Sequence, residues 1–173
     1  MSIADLIDHL IITVADERKS GNWGYTLDEF RCTDVLTQIK NHHEEIVGYC
    51  RSSVTLGTRS QEMDEVLSWL LSTIDTPASR RTLIDRMAPG YAYPAGAVFH
   101  FRQDALEELC YGVASSDPFT SRKCAHVLLR LGRDSVRESL MILSPKRNTI
   151  DKLAYGLLED FLRRNTQEVD LPL

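Results

Sequence analysis

The sequence contains no Cys-x-x-Cys pair, no Gly-x-Ser-x-Gly elbow, no phosphate-binding glycine loop and no apolar run near the ~20 residues that a membrane helix needs. Each absence removes a class of function. Cys32, Cys50, Cys110 and Cys124 are scattered, and three of them fall inside apolar helix patterns, so they read as small buried hydrophobes rather than disulfide partners or metal ligands. Gly90, Gly96 and Gly112 lack the spacing of a dinucleotide fingerprint. His9, His100 and His126 are isolated, and nothing but chance would pair His126 with Cys110. Asp5, Asp8 and His9 interrupt the apolar positions near the N-terminus, so no secretory leader is expected and the cytoplasm is the default location. Basic charge is also short, at 20 Lys+Arg against 25 Asp+Glu, and a net charge of −5 argues against a general nucleic-acid binder, since phosphate affinity depends on cationic contacts.

What is present is helix periodicity, most clearly over residues 117–165. Asp117 and Pro118 start a helix and Gly132 stops it, because Pro suits a first turn and Gly tolerates the left-handed conformation beyond the last. Cys124, Val127, Leu128 and Leu131 form its apolar stripe. A second helix from Arg133 to Leu143 aligns Val136, Leu140 and Leu143, and Pro145 ends it. A third is expected from Asn148, with Asp151 in its first turn and Ile150, Leu153, Ala154, Leu157 and Phe161 inward. Three apolar faces this close in sequence must stack.

The spacing of Asp117, Pro118, Ala125, Leu128, Leu131 and Gly132 resembles the inner helix of a HEAT-type repeat, a family of stacked antiparallel helix pairs that usually serve as protein-binding scaffolds. One departure is that Thr120 and Ser121 stand where the family favours Val-Arg, with Arg122 one place late. A weaker echo at Asp75, Pro77 and Arg80 lies upstream by roughly the 40-residue period of such arrays. The resemblance implies an all-α chain of stacked antiparallel helices in a solenoid-like arrangement. At 173 residues a single domain is expected, divided into an acidic helical half (1–87), an aromatic, Pro- and Gly-containing loop (88–101) and HEAT-like helices (102–165).

The first half supports the same class. Ile3, Leu6, Ile7, Leu10, Ile11 and Val14 make a core-facing stripe, with Ser2 as cap and Arg18 and Lys19 at the end. Trp23 and Tyr25 either cover the end of the core or stand out as a binding hot spot. Thr26 is expected to cap a second helix. Gln61 to Ile74 reads as another, on Met63, Val66, Leu67, Leu70 and Leu71, and Ala78 to Met87 as a shorter one. The composition of residues 88–99, with two prolines, two glycines and two tyrosines, is that of an ordered loop. Its Tyr91 and Tyr93 either fill a gap between helical layers or act as anchors of the kind that paratopes use.

Some hydroxylases of the HEAT-type family bind iron through several His-Glu dipeptides, and here His43-Glu44 is the one such dipeptide. His42 and Glu45 supply one i, i+3 pair, but a site needs a second, so neither metal nor cofactor is expected. Charge is polarised: residues 1–87 carry 9 Lys+Arg against 14 Asp+Glu, whereas residues 88–173 carry 11 of each. The expected function is therefore non-catalytic protein binding, most concretely by an immunity protein or inhibitor that blocks a basic partner such as a toxin or nuclease, with no membrane partner. Glu62, Asp64 and Glu65 would supply the attracting field and Trp23, Tyr91 and Tyr93 the anchors. The competing expectation is a HEAT-like nucleic-acid binder or enzyme that uses the basic stretch from Arg122 to Lys152.

Overall fold

A computed structural model describes residues 2–22, 27, 34–53, 60–87 and 92–167. All the regular structure among them is helical. In chain order the α-helices are α1 (Ile3–Lys19), α2 (Asp34–Asn41), α3 (His43–Ser53), α4 (Gln61–Ile74), α5 (Pro77–Asp85), α6 (Tyr93–His100), α7 (Leu106–Val113), α8 (Pro118–Leu131), α9 (Arg133–Leu143) and α10 (Lys152–Gln167), with 3-10 turns at Arg102–Ala105 and Ser144–Thr149. The chain clusters into two compact units, Met1–Leu83 and Ile84–Leu173.

In the first unit α4 packs against α1, α2 and α3. Ser2 begins α1 with a reciprocal cap: its hydroxyl accepts from the Asp5 amide at 3.1 Å while its own amide donates to the Asp5 carboxylate at 2.9 Å. The Ser2 side chain first, and the Ser2 amide second, hold the Asp5 carboxyl below its usual range by hydrogen bonding. Of the expected α1 stripe, Ile3, Leu6, Ile7, Leu10 and Val14 are buried, and α4, which packs on α1, buries Val66, Leu67, Leu70 and Leu71. Asp75 ends α4 in the left-handed region, at φ 48°, which a short polar side chain tolerates. Thr76 and Ser79 then cap α5 reciprocally, the amide of each donating to the hydroxyl of the other, at 2.9 and 3.1 Å.

In the second unit α8 is the central helix, touching α6, α7, α9 and α10. Asp117 caps it, accepting from the Thr120 amide at 2.8 Å and the Thr120 hydroxyl at 2.6 Å, with Pro118 in the first turn and Gly132, at φ 104°, past the last. Cys124, Ala125, Val127 and Leu128 are buried, and Ser121 ties α8 to α7 by donating to the Val113 carbonyl at 2.6 Å.

Three sequence expectations need correction here. The stretch 88–99 is not a loop throughout, because α6 begins at Tyr93: Pro94 occupies the first turn, where it costs no hydrogen bond, and Ala95 and Val98 supply a buried face. The last helix starts at Lys152 rather than Asn148, since the 3-10 turn Ser144–Thr149 takes up the intervening residues and Asp151 is the cap, accepting from the Ala154 amide at 2.9 Å. That start turns α10 so that Ala154, Tyr155 and Leu158 face inward, Leu157 is only half-buried and Leu153 is exposed. The start of the helix expected from Thr26 falls on residues outside those described, although Leu27 is buried and α2 covers residues 34–41 with Ile39 buried.

Candidate protein-binding surfaces

The acids singled out in the first unit do not act alike. Glu62 and Glu65, three apart in the first turns of α4, share a face that meets the end of α1, where Arg18 donates to Glu62 at 3.2 Å and also to Glu65. All three side chains are partly buried. Glu62 is held below its usual carboxyl range by its own backbone amide at the helix start, then by Ser60 and Arg18. Asp64, two positions from Glu62, turns to the opposite side and is fully buried. Among the described residues of this unit, the acids that remain exposed are Asp5, Asp8 and Asp16 on α1, Asp34 on α2, and Glu44 and Glu45 at the start of α3, together with Asp75, which Arg80 engages at 2.7 Å.

An open cleft of about 520 Å³ lies beside Glu44. His43, Glu44, Val47, Gly48 and Arg51 of α3 form one wall, and Thr76, Pro77 and Ala78 the other. A smaller hollow of about 280 Å³ is lined by residues from Asn41 to Glu45. His42 Nδ1 stands 3.5 Å from Glu45, an exposed contact. Among the described residues no group of three or more His, Cys, Asp or Glu side chains is placed to hold a metal ion. The cleft therefore offers charged side chains on α3, apolar lining at Val47, Pro77 and Ala78, and room for a side chain or short segment of another molecule. Sequence reasoning missed it, because nothing local links α3 to the segment Thr76–Ala78; a signal was the reciprocal Thr76/Ser79 cap, which fixes where α5 begins.

Of the anchor candidates, Tyr93 is half-buried at the first position of α6, in the second unit, while Trp23 and Tyr91 lie outside the described residues. Glu62, Asp64 and Glu65 are in one unit and Tyr93 in the other.

The basic stretch of the second unit is partly neutralised within the fold. Arg122 forms a two-point pair with Asp151 at 3.0 and 3.1 Å, Arg147 meets Glu159 at 3.1 Å, and Arg130 lies over the Phe99 ring, 4.2 Å from its centre. Arg137, Lys146 and Lys152 are exposed. Buried Cys124, with its thiol pushed up to about 12 by desolvation, and Cys110, shifted in the same direction for the same first cause, hold no thiolate at neutral pH. His126 is exposed, whereas Cys110 is buried.

Asp151 is both the α10 cap and the partner of Arg122, and these bonds, the Arg122 pair first and the Ala154 amide second, lower its carboxyl from 3.8 to about 2. A carboxyl depressed in the folded state stabilises the fold above its unfolded value and loses that contribution as the pH falls through the folded one. Asp151→Asn should therefore be less stable than the native chain at neutral pH, and the gap should close between about pH 4 and about pH 2. Urea unfolding at stepped pH reads this directly; a gap that stays constant across that window would show that the ionised carboxylate contributes nothing.

No protein-family model, no curated protein and no solved structure matches the chain. Among the described residues no helix is long and apolar enough to cross a membrane.

Proposed function

We propose that this chain is a non-catalytic, protein-binding helical module, most concretely an immunity protein or inhibitor that docks on a basic partner in the cytoplasm through its first unit. The observation that carries the reading is the distribution of charge. Residues 1–83 hold 8 Lys+Arg against 13 Asp+Glu, and residues 84–173 hold 12 of each, so the whole net charge of −5 belongs to the first unit. A field of one sign on one body speeds encounter with a partner of the other sign. The exposed Glu44 lines the α3–α5 cleft and Glu45 the smaller hollow next to it, which brings that field to where a basic side chain of the partner can be taken in. The HEAT-like spacing of α8 fits a scaffold of this kind. The rival nucleic-acid reading is weaker, because Arg122, Arg130 and Arg147 are engaged inside the second unit.

The test uses Glu44→Lys with Glu45→Lys, both at exposed positions. Native and variant chains serve as baits in source-cell lysate, and the captured protein is then purified for kinetics. The reversal should slow association at least about tenfold at low salt and little at high salt, with dissociation nearly unchanged. Equal association rates at low salt, a captured protein that is acidic, or retention of duplex DNA by the native chain through Arg133 and Arg137 would overturn the reading.

A further inference from the structure

Among the described residues, three of the four exposed large apolar side chains of the second unit fall in one short segment, the other being Tyr111 on α7. Met141 is 65% exposed, Ile142 45% and Leu153 60%, all within residues 141–153. Between them the exposed 3-10 turn Ser144–Thr149 carries Lys146 and Arg147, and Lys152 follows. The one acid of the segment, Asp151, is held by Arg122, and Arg147 meets Glu159. One turn earlier α9 adds Arg137, with Asp134 and Glu138 on the same exposed side, the latter accepting from Gln103 at 2.8 Å. The corner from α9 to α10 thus presents apolar surface with lysines around it.

The first unit carries the complementary pattern. Asp5, Asp8, Ile12 and Asp16 are exposed on α1, and their spacing places them on one face of that helix. Ile12 is 57% exposed, with a carboxylate one turn to either side. Lys19 leans on Asp16 at 3.3 Å in an exposed pair, and with three carboxylates to that one ammonium the face stays negative.

We propose that the 141–153 corner of one copy of the chain receives the outer face of α1 of a second copy, head to tail, with Ile12 against Met141, Ile142 and Leu153 and the carboxylates of Asp8 and Asp16 among Lys146 and Lys152. Opposite charge fixes the orientation, and withdrawal of four apolar side chains from water supplies the attraction. The two faces differ, so the contact is heterologous: each copy keeps one face open, and further copies add until a ring closes or a filament grows. This inference is independent of the inhibitor reading, whose test lies on α3.

Sedimentation of the full chain tests it. The native protein should gain mass from low to high micromolar concentration at low salt, and do so less at high salt. Met141→Asp with Leu153→Asp should remain monomeric, as should Asp8→Lys with Asp16→Lys, each with an unchanged helical circular-dichroism spectrum. All four positions are exposed, so both variants should fold. Mixing the two gives the decisive arm. Each variant retains the one face that the other lacks, so they should form a one-to-one complex that grows no further. A native chain that stays monomeric at every concentration overturns the proposal, as does either variant that self-associates like the native chain, or a mixture that yields no complex. Binding of the native chain to vesicles of anionic phospholipid, abolished by Leu153→Asp and without any self-association, would assign the corner to a membrane surface instead and would equally overturn it.

Discussion

Leu158→Ala should lower the unfolding free energy by about 2 to 5 kcal/mol, the range for removing a buried leucine side chain beyond its β-carbon. Leu158 is fully buried on α10, which packs on both α8 and α9, so the cavity would open where three helices meet and none can close it alone. The control is Leu153→Ala, five residues back on another face of the same helix. Leu153 is 60% exposed, and a surface change of this kind is expected to stay within about 0.5 kcal/mol. Urea unfolding of the two variants, with equal slopes required, reads both numbers. Equal losses would show that α10 is rotated from the register described.

The rotation of α10 also shows why sequence reading succeeded at one end of this region and failed at the other. Leu153 with Leu157, and Ala154 with Leu158, are both i, i+4 pairs, and periodicity alone cannot say which pair faces inward. The choice depends on where the helix starts, which Asp151 fixes by capping while Arg122, on α8, holds its carboxylate. The start of α8 was legible because its determinants are local: Asp117, Pro118 and Thr120 lie within one turn. The Ser2–Asp5 cap of α1 is legible for the same reason. Pro94 misled because a proline marks both a break and a first turn, and only the burial of Ala95 and Val98 separates the two.

The candidate surface was less legible than the fold. The acids of α4 were visible as charges, but the partner of Glu62 and Glu65 is Arg18, more than forty residues away, and Asp64 turns into the core from the middle of the same cluster. A run of acids in sequence therefore became one ion-paired contact and one buried carboxyl. The carboxylates that do face solvent, such as Asp8 and Glu45, were no more conspicuous than the rest. Exposure is a tertiary property, and local spacing carries little of it.

Gly112→Ala should destabilise the protein, by about 1 to 3 kcal/mol, although alanine is the better helix former by about 1 kcal/mol. Gly112 lies on α7 at its contact with α8, and a β-carbon built there would stand 2.4 Å from the sulfur of Cys124, 2.8 Å from a methyl of Ile84 and 3.3 Å from the Cys124 β-carbon. Contacts this short require movement, and movement is restricted. Cys124 is fully buried, its sulfur already sits 3.7 Å from that of Met87, and rotamers on a helix are few. Ile84 is likewise fully buried. The packing term therefore exceeds the propensity term and sets the sign. Gly96→Ala and Gly156→Ala isolate the propensity term, because a β-carbon at either helical position meets nothing within 4 Å; both should stabilise, by roughly 0.5 to 1 kcal/mol. Cys124→Ala in the Gly112→Ala background should recover part of the loss, since the two positions touch and their effects cannot add, while the short contact with Ile84 keeps the recovery incomplete. If all three glycine variants proved equally stabilising in urea unfolding, α7 and α8 would not approach as closely as described, and the tight packing around the central helix of the second unit would have to be given up.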